Sequence, residues 1–523
     1  TKLKVRVKQF SLNKELILVN NNESFDIVIV GSGLLGQICA LLCSKFNLKT
    51  LLISKNSINE NALKEISFDE ETARLLDSIG VYSKINDLIN MPTYTDLVTT
   101  DSTIVQRSPV IKAKNSFPSL MTFIPVDLEE EMLKSCSEDP NIKVLDNFII
   151  SHFESGTNSY SLKNANSTIK VEAPFLICSD ESDEFVNKKL NINYDDLGYA
   201  REWLIVDISL KSGDDLENVF RQICDPIRPT SYVALSEIRY RFQFQLLTGE
   251  KKEDMCSISK VHDLISNWLA PHQYNIEYLT TFEFKGRCAN NFQTENIFLI
   301  GKAAYQIPPY AAQSLNSGIR DLVNLIWKIN LITNYKAKDK IIYSYNVERN
   351  AKIRQTIKSS IVLGQLIDSI SVALQNNTPL EEAIAPEARE QAFGKMSKFS
   401  DDINEPGIYN SIAHDIYTGQ RLAKNLRDKN NTLIDMDKNI GFNFSIISKN
   451  NIFDHLEDDT VSKLKELDCK FLCNIQEIDS DLNLTEVLTS GDIIVRPDMK
   501  IFGVSSEKLT IEQMCQDLLS QIT

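Results

Sequence analysis

No Cys-x-x-Cys pair occurs in the 523 residues, although ten cysteines are present at 39, 43, 136, 178, 224, 256, 288, 469, 473 and 515. A long chain with scattered thiols predicts a reduced, cytoplasmic protein rather than a disulfide-stapled one. Cys39 and Cys43, four apart on an expected helix, read as small packing residues. Histidines number only five and are far apart, without HExxH or comparable ligand spacing, so no metal site is expected. Positive charge is also short. The 56 Lys and Arg against 71 Asp and Glu leave a net charge of −15, with no basic cluster interleaved with aromatics. This argues against a nucleic-acid binder and against attraction to an anionic membrane. Apolar runs such as Phe175-Leu176-Ile177 stay short, so no membrane span is expected. The first residues, Thr1 to Val7, alternate like an edge strand and lack the apolar stretch of a secretory signal.

What is present describes a folded chain of several cores. A hydrophobic share of 42% and a charged share of 24% suit a globular protein, and the length calls for two or three domains. Phe25 to Val30 reads as a buried strand, Leu34 to Phe46 as a helix, and Thr50 to Ile53 as the next strand, a βαβ unit. Residues 174–178 and 296–300 read as further buried strands of the same sheet. Between them, 203–207 and 239–245 alternate apolar and polar residues, which predicts an antiparallel sheet with one wet face. Long helices are expected over 315–332 and 345–372. Strands near 443–447, 471–473 and 492–495, with helices near 459–467 and 509–521, predict a small α/β unit at the end.

The turn inside the βαβ unit is Gly31-Ser32-Gly33-Leu34-Leu35-Gly36. Gly31 allows the tight turn, Gly33 lets the backbone approach a pyrophosphate, and Gly36 allows close packing of helix on strand. The N–H groups at the helix start then face the anion. An adenosine ribose is normally held by a carboxylate at the end of the second strand, where this chain has Ser54.

The run from Asn296 to Asp321, with Gly301-Lys302, Pro308-Pro309 and Ala312-Gln313-Ser314-Leu315-Asn316, resembles the second FAD motif of class A flavoprotein aromatic monooxygenases. Asn324 to Lys328 and Tyr345 to Arg349 continue the likeness, which is nearest to the phenol hydroxylase and 3-(3-hydroxyphenyl)propionate hydroxylase branch. Ile494-Val495-Arg496-Pro497-Asp498 resembles the late strand and turn of the thioredoxin-like domain that ends such chains. The resemblance implies an α/β fold of six stretches. Residues 1–24 are an N-terminal extension, 25–199 and 286–374 the two parts of an FAD-binding βαβ domain, and 200–285 a mixed-sheet substrate domain. Residues 375–425 are then a linker, and 426–523 a thioredoxin-like domain without CxxC.

By the same resemblance, FAD would meet Gly31, Gly33, Gly36, Ser54, Asp180, Gly301, Lys302, Gln313, Leu315 and Asn316. Arg241, Gln243, Tyr305, Pro308 and Tyr310 would line a substrate pocket, with Gln306 beside them, while no catalytic acid, base or nucleophile is assigned. Several family positions carry changed chemistry. Lys302 replaces the aspartate that binds the ribityl chain, Ala312 and Ser314 replace glycines beside the flavin, and Ser54 replaces the ribose glutamate. Leu63, Pro125, Glu181 and Asn187 depart from the pattern as well. Loss of two or three charged hydrogen bonds, at about 1.5–3 kcal/mol each, would weaken FAD by roughly 10²–10⁶-fold. Two functions follow. One is an FAD-dependent hydroxylase of a phenolic or polycyclic aromatic compound, with NAD(P)H as co-substrate. The other is a homologue that has weakened or lost FAD, acting as a binding or partner protein or as a non-redox biosynthetic enzyme. A homodimer or a protein partner is compatible with either.

Overall fold

Ile27–Val30 is a run of four β-branched residues, all buried, and such a run is stable only inside a sheet covered on both faces. It pairs in parallel with Thr50–Ser54 and with Phe175–Cys178. Ile297–Leu299 and Ile142–Asp146 extend the sheet at either side, again in parallel. The helix Leu34–Lys45 crosses between the first two strands with ten of its twelve residues buried. Pro125–Glu138 packs beside it. The computed structural model describes residues 19–55, 65–112, 116–153, 157–179, 188, 190–212, 216–310, 312–376, 378–379, 407–412, 416–422, 424–430, 432–479, 488 and 491–523. Most of the expected linker and of the first 24 residues lies outside them. Within the latter, Glu23–Ser24 is a short strand paired with Val171 and Glu172.

A second sheet of eight strands belongs to the same compact unit, which comprises residues 1–290, 296–318 and 353–398. Its centre is antiparallel: Tyr274–Ala289, Tyr194–Leu210, Arg239–Gln245, Thr230–Ala234 and Val219–Cys224 follow one another. Tyr94–Thr99 joins in parallel and Ile104–Pro109 closes that edge, so the sheet draws strands from well before residue 200. Sequence distance hides such a pairing.

The expectation of a wet face needs correction. On Arg239–Gln245, Tyr240, Phe242 and Phe244 enter a core with Val261, Ile265 and Trp268. Arg241 and Gln243 point the other way, yet Arg241 is only 3% exposed and both line a partly open cavity. Alternation reports which side is polar, not what covers it. Elsewhere that other side is apolar: Trp203 and Ile205 pack with Leu363, Leu366, Ile367 and Ile370 of the helix Ser344–Gln375.

The helical stretch 339–375 contains an 18-residue window of mean hydropathy 1.4, which has the length and composition of a membrane span, with half of the window buried inside the fold. Leu363, Leu366, Ile367 and Ile370 of this stretch are part of the core just described.

A second compact unit comprises residues 291–295, 319–352 and 399–523. Its four-stranded sheet runs in the order Lys470–Leu472, Ser445–Ile447, Ile493–Val495, Ile501–Val504, the first pair parallel and the others antiparallel. Helices Asp458–Glu466 and Ile511–Ile522 pack together beside it. A capping box between Thr510 and Gln513 starts the last helix. Inside this unit Glu348 accepts from Arg496 at 2.8 Å and from Lys328 at 3.1 Å, with all three side chains at most 1% exposed.

Candidate cofactor and substrate site

The glycine turn has the geometry its spacing predicts. Gly31 takes φ 105°, a left-handed value that a side chain would oppose. A β-carbon on Gly36 would lie 1.8 Å from the Gly31 carbonyl oxygen, so only glycine allows this approach. A β-carbon on Gly33 would meet nothing within 4 Å, so the helix start faces open space. Gly33 caps that helix without a side-chain hydrogen bond, and no acidic residue occupies its first turn. The first N–H groups of a helix lack intrahelical acceptors and carry partial positive charge, so this end suits a pyrophosphate.

Ser54 ends the second strand, 8% exposed, and is paired in register with Asp146 on the neighbouring strand. Oδ1 of Asp146 is buried and receives no hydrogen bond. Burial pushes the Asp146 carboxyl up to about 6.

The cavity beyond the sheet is partly open and has a volume of about 110 Å³. Phe220, Phe282, Phe284, Ile307, Pro308 and Pro309 form apolar walls. Arg241 holds Asp207 through Nε at 2.6 Å and Nη2 at 2.8 Å, a two-pronged contact. Ser231 donates to Gln243 Oε1 at 3.0 Å. On another wall, Lys302 Nζ lies 2.9 Å from Glu65 Oε1, and Ser314 Oγ donates to the same oxygen at 3.3 Å. Burial acts to raise the Glu65 carboxyl, but Lys302 outweighs it and holds the group below the usual carboxylate range. The helix Ser314–Tyr335 starts at this cavity, where Ala312, Gln313, Ser314 and Leu315 are lining residues. Ala312 has φ 50°, a left-handed conformation that a residue with a β-carbon disfavours.

The cavity therefore brings together Arg241, Gln243, Lys302, Gln306, Pro308, Gln313 and Leu315. Its lining does not include Tyr305 or Tyr310. Tyr305 is 1% exposed and pairs with Cys288. Tyr310 stands edge-on to Tyr199 and Trp203 in the adjoining core and accepts from the Tyr199 hydroxyl at 3.1 Å. Asn316 accepts from Asp69 N at 3.0 Å and Thr72 Oγ1 at 2.9 Å, so it ties the start of the helix Glu70–Ser78. Gly301 has φ 52°, and a β-carbon there would lie 2.4 Å from Leu35. Asp180, with Leu63, Glu181 and Asn187, lies outside the described residues. Pro125 opens a helix at its first position, where a missing N–H costs nothing. Glu65, Asp207, Asp146 and the three phenylalanines escaped the sequence reading, because each gains its meaning from a partner distant in the chain.

The residues fit a flavin dinucleotide at its adenosine and pyrophosphate end: open space at Gly33, an uncapped helix start, and a carboxylate oxygen lacking a donor. At the cavity end the helix start at Ser314 supplies N–H groups, while Lys302 and Glu65 form a neutral pair in the wall.

A parallel dinucleotide-binding sheet joined to a largely antiparallel sheet around a part-aromatic cavity defines a two-sheet nucleotide-dependent α/β class. A family model described as FAD binding domain matches residues 24–360, and the chain belongs to that family. It is 26% identical over 352 residues to the 3-(3-hydroxy-phenyl)propionate/3-hydroxycinnamic acid hydroxylase of Escherichia coli O157:H7 (strain EC4115 / EHEC), covering 66% of this chain and 63% of that protein. The chain thus spans less than two thirds of that relative. Among solved structures, the fold is similar to the flavin-dependent monooxygenase PieE in complex with FAD and substrate. The TM-score is 0.78 at 15% identity, over 96% of this chain and 100% of that one. Aklavinone-11 hydroxylase with FAD and aklavinone gives 0.72 at 16% identity over the same shares.

Proposed function

We propose that the chain is an FAD-dependent hydroxylase of a phenolic or polycyclic aromatic substrate, with NAD(P)H as reductant. The observation that carries this reading is one cavity with phenylalanine and proline walls into which a helix start and two charge-balanced ion pairs open. FAD, when bound, supplies the oxygen activation and electron transfer that side chains lack. Gly31, Gly33 and Gly36 would hold its pyrophosphate, and Gln313 to Leu315 would offer backbone N–H groups at the cavity. Phe220, Phe282 and Phe284 exclude water and grip a ring. Gln243 and Gln306 orient its hydroxyl. Arg241 is neutralised by Asp207, which suits an uncharged phenol better than a strongly anionic acid.

Purified protein should be yellow or take up FAD, and a phenol should speed NAD(P)H oxidation. Protein that stays flavin-free at saturating FAD rules the hydroxylase out.

The Lys302–Glu65 pair and the left-handed Ala312 favour one competing reading, a descendant with weakened or lost FAD that binds a small aromatic molecule in the same cavity. The same titration separates the two. For residues 426–523 we infer a thioredoxin-like domain. The strand order, with one parallel and two antiparallel pairs, supports it. Cys469 is buried with its thiol pushed up by that burial, so thiol exchange is not expected there.

A further inference from the structure

We infer that Asp146 is the ribose acceptor of the bound nucleotide, a carboxylate supplied by the third strand of the parallel sheet in place of the second. The inference rests on the reading of this chain as an FAD protein.

A nucleotide lying over the glycine turn places its ribose near the end of the strand after the crossover helix, where a carboxylate accepts from the sugar hydroxyls. In this chain that strand ends in Ser54, a hydroxyl with no charge. Ser54 and Asp146 are partners in register on adjacent parallel strands. Residues so paired point to the same side of a sheet, and neighbouring strands lie about 4.8 Å apart. Asp146 therefore carries its carboxylate one strand spacing from the vacated position, at the same level along the sheet.

The state of this carboxylate is the second observation. Oδ1 is buried and no donor among the described residues reaches it. A buried carboxylate oxygen without a donor is costly, and natural folds keep such groups where a ligand or water completes them. The two hydroxyls of a ribose are donors of the right kind and number for one carboxylate. Burial alone accounts for the raised carboxyl value near 6, and no cation among the described residues offsets it. A residue kept for folding would show the reverse, an ion pair or a cap. Because the folded-state value lies above that of the unfolded chain, ionisation opposes folding increasingly as the pH rises past 3.8, and fully above about 6. Replacing it should leave the empty fold equally or more stable.

The test uses the full chain, as wild type and as Asp146→Asn, titrated with FAD, with ADP and with 2′,3′-dideoxy-ADP, alongside thermal melting of the ligand-free proteins at neutral pH. For Asp146→Asn the expected result is an FAD dissociation constant roughly 10–100-fold weaker. ADP should lose its preference over the dideoxy analogue, and the melting temperature should be no lower than wild type. Unchanged FAD binding, a preserved preference for the ribose hydroxyls, or a variant that melts well below wild type would overturn the assignment. If wild type distinguishes ADP from its dideoxy analogue through Asp146 but takes up no FAD, the flavin reading falls and the ribose contact stands. If wild type binds neither FAD nor ADP, both fall.

Discussion

Lys302 Nζ stands 2.9 Å from Glu65 Oε1, so a cation from one end of the FAD-binding region meets a carboxylate from the other within the wall of the cavity. The side chains are 30% and 22% exposed, which makes the pair stronger than a surface contact and weaker than a fully buried one. Glu65 has a folded-state value below its ordinary one, so its contribution to stability is present above pH 4.5 and is lost as the pH falls through the lowered value. Lys302→Met should therefore destabilise the protein by about 1–3 kcal/mol at pH 7, with the difference from wild type shrinking under acid. Adding Glu65→Gln should recover most of the loss. Urea unfolding at pH 7 and pH 4 checks this, and equal stability of the single variant and wild type at pH 7 would show that the pair contributes nothing.

Ala312 occupies a left-handed backbone position at the cavity wall. An L-residue there costs about 1–2 kcal/mol relative to its preferred conformations. Ala312→Gly removes that strain and a methyl group, against an added chain entropy of about 0.4–1 kcal/mol. The expected outcome is stability within about 1 kcal/mol of wild type and tighter flavin binding, read by quenching of FAD fluorescence. Weaker binding in the glycine variant would count against a flavin at this wall.

Gly36→Ala would put a β-carbon 1.8 Å from the Gly31 carbonyl oxygen, and backbone cannot yield cheaply. The turn must open, which costs about 1–3 kcal/mol or more and spoils the pyrophosphate cradle. Loss of ADP and FAD binding together with a lower melting temperature is expected. Gly33→Ala faces open space in the empty fold, so it should melt like wild type and still bind nucleotide poorly.

In the second unit, Glu348 is the anion shared by Lys328 and Arg496. Asp498 also meets Arg496, and Asn324 donates to Glu348 at 2.8 Å. Burial brings the Lys328 ammonium down to about 8 even with this partner present. Glu348→Gln leaves two buried cations short of one negative charge, and a loss of about 3–5 kcal/mol is expected from guanidinium unfolding. A loss under 1 kcal/mol would mean that Asp498 alone balances the cluster.

Much of the architecture was legible because it is written in local pattern. Four β-branched residues, a GxGxxG turn and a following apolar helix specify a βαβ unit without reference to anything distant, and Arg239–Gln245 alternates over the length of its strand. The pairing of Tyr94–Thr99 with Val219–Cys224 was not legible, since nothing in either strand names its neighbour. Nor was the burial of Arg241, because a polar face looks the same in sequence whether solvent or a cavity wall lies against it.

Taken alone, the residues determined where the glycine turn lies and which strands are buried. Tertiary contact decided the rest. That Lys302 is matched by Glu65, Arg241 by Asp207, and Ser54 flanked by a carboxylate with one oxygen lacking a donor among the described residues depends on groups brought within a few ångströms by the fold. Coulomb and hydrogen-bond energies depend on separation in space, and separation along the chain carries no record of it.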